Sequence, residues 1–216
     1  MTLDFVVRTQ LKKDQKAKTL VVLAHGYGAD CNNLLGLEDH FYDILEDSIF
    51  VFVNAPEVFE FGPPGYQWYS LMDRSENVLL DHSRRVAKLY ETFIEELLTK
   101  YSVDYKDIIL MGFSQGAMVS LFSGIRMKEC VKAIIGFSGT IIGPSLIAQE
   151  ALQKPPVCLI HGDKDEVVPI ALSKIAHKHF IAAGFNCQFN QIPNLTHTID
   201  FEALSKAQHF LRSLNP

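Results

Sequence analysis

Short apolar runs alternate with amphipathic stretches along the whole chain. Phe5-Val6-Val7, Thr19 to Ala24, Ile49 to Val53, Ile108 to Met111, Val131 to Phe137 and Val157 to His161 are too short for helices. Each is apolar on both sides of a pleat, the pattern of a strand buried on both faces. Asn186 to Ile192 predicts a last strand with weaker alternation. Val86, Leu89, Tyr90, Phe93, Ile94, Leu97 and Leu98 recur at helical steps and predict the clearest amphipathic helix. Further helices are expected through Leu34, Leu37, Phe41, Ile44 and Leu45, over Ala117 to Phe122, and over about 145–153. Two more are expected over 170–183, capped by Gly184, and through Phe201, Leu204, Leu211 and Leu214. Such alternation predicts an α/β fold: a mostly parallel central sheet with helices on both faces. With no repeat or linker in sight, one domain over 1–216 is expected.

One junction between a strand and a helix carries more than pattern. Gly112-Phe113-Ser114-Gln115-Gly116 reads G-x-S-x-G, directly after Ile108–Met111 and directly before Ala117–Phe122. Between strand and helix this motif makes a sharp turn that strains the serine backbone and lifts its hydroxyl above the sheet. Gly112 and Gly116 are expected because a Cβ at either position would collide where strand and helix pass.

Composition narrows the function classes. The chain of 216 residues is 48% hydrophobic and 21% charged, within the globular range. Its net charge of -5 is scattered, with no Lys/Arg block to suggest nucleic acid or an anionic membrane. No apolar run reaches the roughly 18 residues of a membrane span, and Met1-Thr2-Leu3-Asp4 lacks a signal-peptide pattern. Cys31, Cys130, Cys158 and Cys187 have no C-x-x-C pairing and are expected as buried thiols in a reducing cytoplasm. Neither a phosphate loop nor H-E-x-x-H occurs, so no cofactor and no metal are expected.

In parallel α/β sheets, ligands bind at the carboxyl ends of the strands. Ser114, Asp165 and His197 all fall at such ends, in the order Ser, Asp, His. A serine hydroxyl needs an imidazole to take its proton, and the imidazole needs a carboxylate to fix its tautomer. Ser114 is therefore the expected nucleophile, His197 the base and Asp165 the orienting acid, in the chain order of α/β hydrolases. Asp163 is an open alternative for the acid. Asp165 is favoured because Asp163 directly follows Gly162, where a turn-forming hydrogen bond is its natural use. His25 and His161 also end strands, but each precedes a glycine in a tight turn and reads as a structural imidazole bonded to backbone. Acyl transfer also needs two N–H donors for the oxyanion. Gln115, next after the nucleophile, supplies one through its backbone. Tyr27, in the Gly-rich loop His25-Gly26-Tyr27-Gly28, supplies the other.

Taken as an ordered set, these motifs resemble the phospholipase/carboxylesterase family of α/β hydrolases, which includes small bacterial carboxylesterases and acyl-protein thioesterases. The matching segments are His25-Gly26-Tyr27-Gly28-Ala29-Asp30, Asn54-Ala55-Pro56, Trp68-Tyr69 and Gly112-Phe113-Ser114-Gln115-Gly116-Ala117. His161-Gly162-x-x-Asp165-x-Val167-Val168-Pro169 and the late His197 complete them. The resemblance implies Ser114, Asp165 and His197 as the triad and Tyr27 and Gln115 as oxyanion donors. It also implies Trp68, with Tyr69 beside it, as substrate-binding. The run Gly65-Tyr66-Gln67-Trp68-Tyr69-Ser70 replaces a Met-Arg-x-Trp type segment of many thioesterases, and Thr198 follows His197 where Glu is frequent. Both departures favour the bacterial carboxylesterase branch. The expected activity is hydrolysis of small acyl esters, or thioesters, through an acyl-enzyme on Ser114. An acyl-protein thioesterase or lysophospholipase is the first alternative, and a non-catalytic binding protein on the same fold the second. The partners expected are those substrates and, at most, a weak homodimer.

The interval from Ser138 to Pro156 is too short for more than one helix, so no cap domain is expected. The site should then be open and shallow. Its expected walls are the aromatic loop from Phe59 to Tyr69 and the loops near Tyr27 and Ile141. Such a groove would favour short to medium acyl chains.

Overall fold

The structure is a computed structural model and describes residues 3–214. In chain order its elements are β1 (Phe5–Thr9), β2 (Thr19–Ala24), β3 (Ser48–Val53), β4 (Glu57–Val58), β5 (Tyr66–Gln67), α1 (Glu76–Tyr101), β6 (Ile108–Phe113) and α2 (Gln115–Gly124). Then follow β7 (Ala133–Phe137), α3 (Ile147–Glu150), β8 (Val157–Gly162), α4 (Ile170–Ala182), β9 (Cys187–Ile192) and α5 (Phe201–Leu214). Seven strands form one sheet in the order β1-β3-β2-β6-β7-β8-β9, and β4 and β5 pair as a small separate ribbon. Every neighbour in the large sheet is parallel except β1, which runs antiparallel to β3 at the edge.

Period two along the strands sorts the core into two layers. Leu20, Val22, Val51, Leu110, Ile134 and Leu159 face one side, with Tyr90, Phe93 and Leu97 of α1 and Phe180 of α4. Val21, Leu23, Phe50, Met111, Ile135 and Ile160 face the other, with Leu204, Phe210 and Leu211 of α5. Both faces are thus covered, which explains why β2, β3 and β8 are buried at every residue.

Three expected elements came out differently. Residues 34–45 form no α-helix but two 3₁₀ turns, Cys31–Leu34 and Leu37–His40. Gly36 between them sits at φ 95, which breaks the helical path, while Phe41 and Leu45 are still buried. The helix expected over 145–153 shortens to a 3₁₀ turn, Pro144–Leu146, and α3. Its expected last turn unwinds so that the N–H groups of Leu152 and Gln153 both donate to Ile125 O. In the opposite direction, the helix expected around Val86–Leu98 grows to all 26 residues of α1. Of the four thiols, Cys130 is exposed, contrary to expectation, and the other three are buried. Among the described residues no helix is long and apolar enough to cross a membrane.

Candidate active site

β6 stops at Phe113 and α2 starts at Gln115, so the whole reversal falls on Ser114, at φ 55 and ψ −117. A serine takes that conformation only when its surroundings leave no other. They do so here by contact. A Cβ on Gly112 would lie 2.3 Å from the Gly116 carbonyl, and one on Gly116 would lie 2.0 Å from Ala24 O. The Ser114 N–H is tied to Phe137 O on β7 at 2.9 Å. Strand, turn and helix are therefore wedged together, and Ser114 Oγ emerges at the carboxyl ends of β2 and β6.

Two loops deliver the remaining expected triad members. The loop after β8 packs on the loop after β9 so closely that a Cβ on Gly162 would lie 2.1 Å from Leu195 O. The Asp163 N–H donates to Ile192 O at 3.0 Å, and the Lys164 N–H to Leu195 O at 3.0 Å. The Asn194 N–H donates to Asp163 Oδ1 at 2.7 Å. Asp163 thus staples the neighbouring loop instead of closing its own turn, and it makes no bond to His197. Asp165 does. His197 Nδ1 lies 2.8 Å from Asp165 Oδ2, and His197 Nε2 lies 3.0 Å from Ser114 Oγ. The Phe113 ring packs on the imidazole with centroids 4.8 Å apart.

The Asp165 side chain is wholly buried but well supplied with donors. Its Oδ1 accepts from the N–H groups of Val167 and Val168, both at 2.9 Å. Burial alone would raise its pKa. The bonds from His197, Val168 and Val167 outweigh that and hold the carboxyl below its ordinary value, so it is ionised near neutrality. His25 is also wholly buried, and burial pushes it below the usual histidine value. Its Nε2 accepts from the Ala55 N–H at 3.0 Å, which leaves Nδ1 to donate to Gly26 O at 2.7 Å.

The N–H groups of Tyr27 and Gln115 donate to no acceptor among the described residues, and both residues line the cavity beside Ser114. Their setting is fixed from behind. Gln115 Oε1 accepts from the Trp68 N–H at 3.0 Å, and Gln115 Nε2 donates to Tyr69 O at 2.8 Å. The Trp68 indole donates to His25 O at 3.0 Å. The Gly28 N–H donates to Tyr66 O at 2.8 Å, and a Cβ on Gly65 would lie 2.0 Å from Gly28 O. The Glu60 carboxylate gathers the Tyr27 hydroxyl, the Ser70 hydroxyl and the Leu71 N–H.

This corrects one expectation. Trp68 and Tyr69, expected to bind substrate, are wholly buried and line no part of the cavity. They brace the loops that present Tyr27 and Gln115. The aromatic loop from Phe59 to Tyr69 likewise stands behind the cavity and does not wall it.

The cavity itself measures about 640 Å³, well within the range of small-molecule sites. Its walls include Leu34, Leu37, Leu71, Met118, Ile142 and Leu172, with Arg74 at the rim. Sequence reasoning missed these residues. Apolar residues left in water, such as Val167 at 65% and Leu172 at 42% exposure, border the opening, but that exposure shows only in the fold.

Known proteins carry the same arrangement of chain. The esterase PE8 crystal structure superposes with a TM-score of 0.90 at 37% identity, covering 99% of this chain and 100% of that one. Esterase YpfH of Escherichia coli is 28% identical over 98% of this chain and 88% of its own length. Acyl-protein thioesterase 1 homolog 2 of Dictyostelium discoideum is 32% identical over 80% of this chain and 81% of its own. The phospholipase/carboxylesterase family model matches residues 7–215. A seven-stranded α/β-hydrolase sheet, a serine on its strained elbow and a family match over nearly every residue agree, and the chain belongs to the phospholipase/carboxylesterase family.

Proposed function

We propose that residues 1–216 form one α/β-hydrolase domain that cleaves small carboxylic esters, thioesters included, through an acyl-enzyme on Ser114. The observation that carries this reading is the hydrogen-bonded line Ser114 Oγ, His197 Nε2, His197 Nδ1, Asp165 Oδ2, with steps of 3.0 and 2.8 Å. His197 takes the Ser114 proton as Oγ attacks the acyl carbon. The carbonyl oxygen becomes an oxyanion, held by the N–H groups of Tyr27 and Gln115 at the positive end of α2. His197 then passes its proton to the leaving alcohol or thiol. Water, activated by the same imidazole, attacks the acyl carbon and restores Ser114. Ionised Asp165 keeps the His197 proton on Nδ1 and stabilises the imidazolium while it exists.

The apolar walls of the cavity support an acyl chain of short to medium length as its occupant. A thioester on a protein is the second reading, supported by the cavity's open rim and by relatives named acyl-protein thioesterases. A cytoplasmic home is supported by four cysteines that are all unpaired. Sedimentation at graded concentrations would test for no more than a weak homodimer.

A fluorophosphonate probe followed by peptide mass spectrometry tests the chemistry, with labelling expected at Ser114. A folded protein that takes up no label, or takes it elsewhere, would overturn the reading. A series of p-nitrophenyl esters beside acyl-CoA and lysophospholipid then separates the two readings. A plateau in kcat/KM beyond medium acyl length favours simple esters, and a continued rise to C16 favours the lipidated substrate.

A further inference from the structure

His161 ends β8 next to Asp165, yet it has no step in the reaction above. Its environment goes well past a backbone tie. The ring is wholly buried, and Nε2 lies 2.8 Å from Val168 O and 3.1 Å from Asp165 Oδ2. That Oδ2 is the oxygen His197 Nδ1 meets at 2.8 Å. Both groups facing His161 Nε2 are acceptors, so this nitrogen carries the proton: it donates to Val168 O, with Asp165 Oδ2 beside it at 3.1 Å. Nδ1 lies 2.7 Å from Ser173 Oγ on α4, and in the neutral ring it accepts the one hydroxyl proton that Ser173 could otherwise give to Gly139 O. Desolvation pushes His161 below the usual histidine value, which favours the neutral ring with its proton on Nε2. The titratable groups acting on it are Asp165 and His197. Ser173 and the carbonyls of Val168 and Gly139 complete its surroundings.

We propose that His161 is a positioning residue for the triad: its Nε2–H lies beside the carboxylate oxygen that His197 binds, orienting Asp165 and tempering the charge that His197 senses. The proposal rests on the assignment of Asp165 as the orienting acid. Two consequences follow from electrostatics. Without this N–H, Asp165 keeps its bond to His197 and its two backbone donors but is oriented less tightly, and the reaction slows. The potential at His197 also becomes more negative, so its protonated form is favoured and the acid limb of kcat/KM moves to higher pH. A merely structural role predicts slowing with no movement of the limb.

The test compares His161→Phe with His161→Gln, whose amide N–H reaches the place of Nε2. The Phe variant should lose about tenfold to a hundredfold in kcat, with the acid limb raised by roughly half a unit. The Gln variant should recover most of the rate and the wild-type limb. An unmoved limb in the Phe variant, or a Gln variant as impaired as Phe, overturns the proposal. Should the Phe variant fail to fold, ¹⁵N NMR of the wild-type protein decides. A neutral His161 with its proton on Nε2 near neutral pH is required, and a proton on Nδ1 alone refutes it. Survival of esterase activity in Ser114→Ala would instead bring down the underlying functional reading, so the two failures are distinguishable.

Discussion

The two halves of the site are held in place by different physics. At the elbow, Ser114 is fixed by exclusion: Gly112 and Gly116 sit where any side chain would strike backbone at 2.0 to 2.3 Å. Around Asp165 and His197 one such contact occurs, at Gly162 against Leu195 O, and most of the hold is by attraction. Asp163, Lys164 and Asn194 lace the two loops together, three donors bond the acid, and His161 Nε2 lies 3.1 Å from it. Exclusion acts at single positions and is close to all-or-none, because backbone cannot give by an ångström inside a packed core. Attraction is spread over many bonds, each of modest net worth, and can be lost in part. The elbow should therefore fail abruptly and the acid–base loops by degrees.

The largest expected effect removes the proposed nucleophile without touching either kind of restraint. Ser114→Ala should fold normally and lose on the order of 10⁴–10⁶ in kcat. A retained tenth of the esterase rate would take Ser114 out of the mechanism. Ser114→Gly should be as inactive yet more stable by about 1 kcal/mol, since glycine tolerates φ 55. An unchanged melting temperature would mean that no strain resides there.

Asp165→Asn comes next, with an expected loss of about 10³–10⁴ in kcat because His197 is freed to take the wrong tautomer. Asp163→Ala, two residues away, should cost less than about tenfold, because it loses only loop bonds. If Asp163→Ala proves the more damaging in a folded protein, the two carboxylates have been assigned the wrong way round. Gly116→Ala probes the exclusion side. Its new methyl would press on Ala24 O and should destabilise the fold by about 3 kcal/mol or more, read as the denaturant midpoint. A well-folded, active Gly116→Ala protein would erase the contrast between the halves.

The smallest effect spans both halves. His25 behind Tyr27 and His161 beside Asp165 are each held below the usual histidine value by burial. The unfolded chain binds protons there more readily than the folded one. Stability is therefore full above the unfolded value near 6.5 and is lost as pH falls below it, by about 1 kcal/mol per histidine for each pH unit. Urea melts at pH 7.5, 6.5 and 5.5 would show the decline, and a flat series would mean that both rings are protonated in the fold.

The sequence by itself determined the sheet, the elbow and the three residues that meet around His197. Period two, period 3.6 and the glycines of a tight crossing are local consequences of backbone geometry, so they stay readable without the rest of the molecule. It also pointed to Tyr27 and Gln115 as the proposed oxyanion donors, because a donor must lie next to the nucleophile or in a Gly-rich loop at a neighbouring strand end. Only the tertiary structure decided what surrounds that line. Trp68 and Tyr69 look like contact residues in the sequence, since aromatic loops so often are. Packing buries them behind the cavity as braces for His25 and Gln115. The walls come instead from Leu34, Leu71, Ile142 and Leu172, carried by segments far apart in the chain. The choice between Asp163 and Asp165, and the second histidine on the acid, depend on which loops meet across the end of the sheet. Hydrogen bonds between distant loops leave no periodic mark on either one, and so they are fixed only when the chain folds.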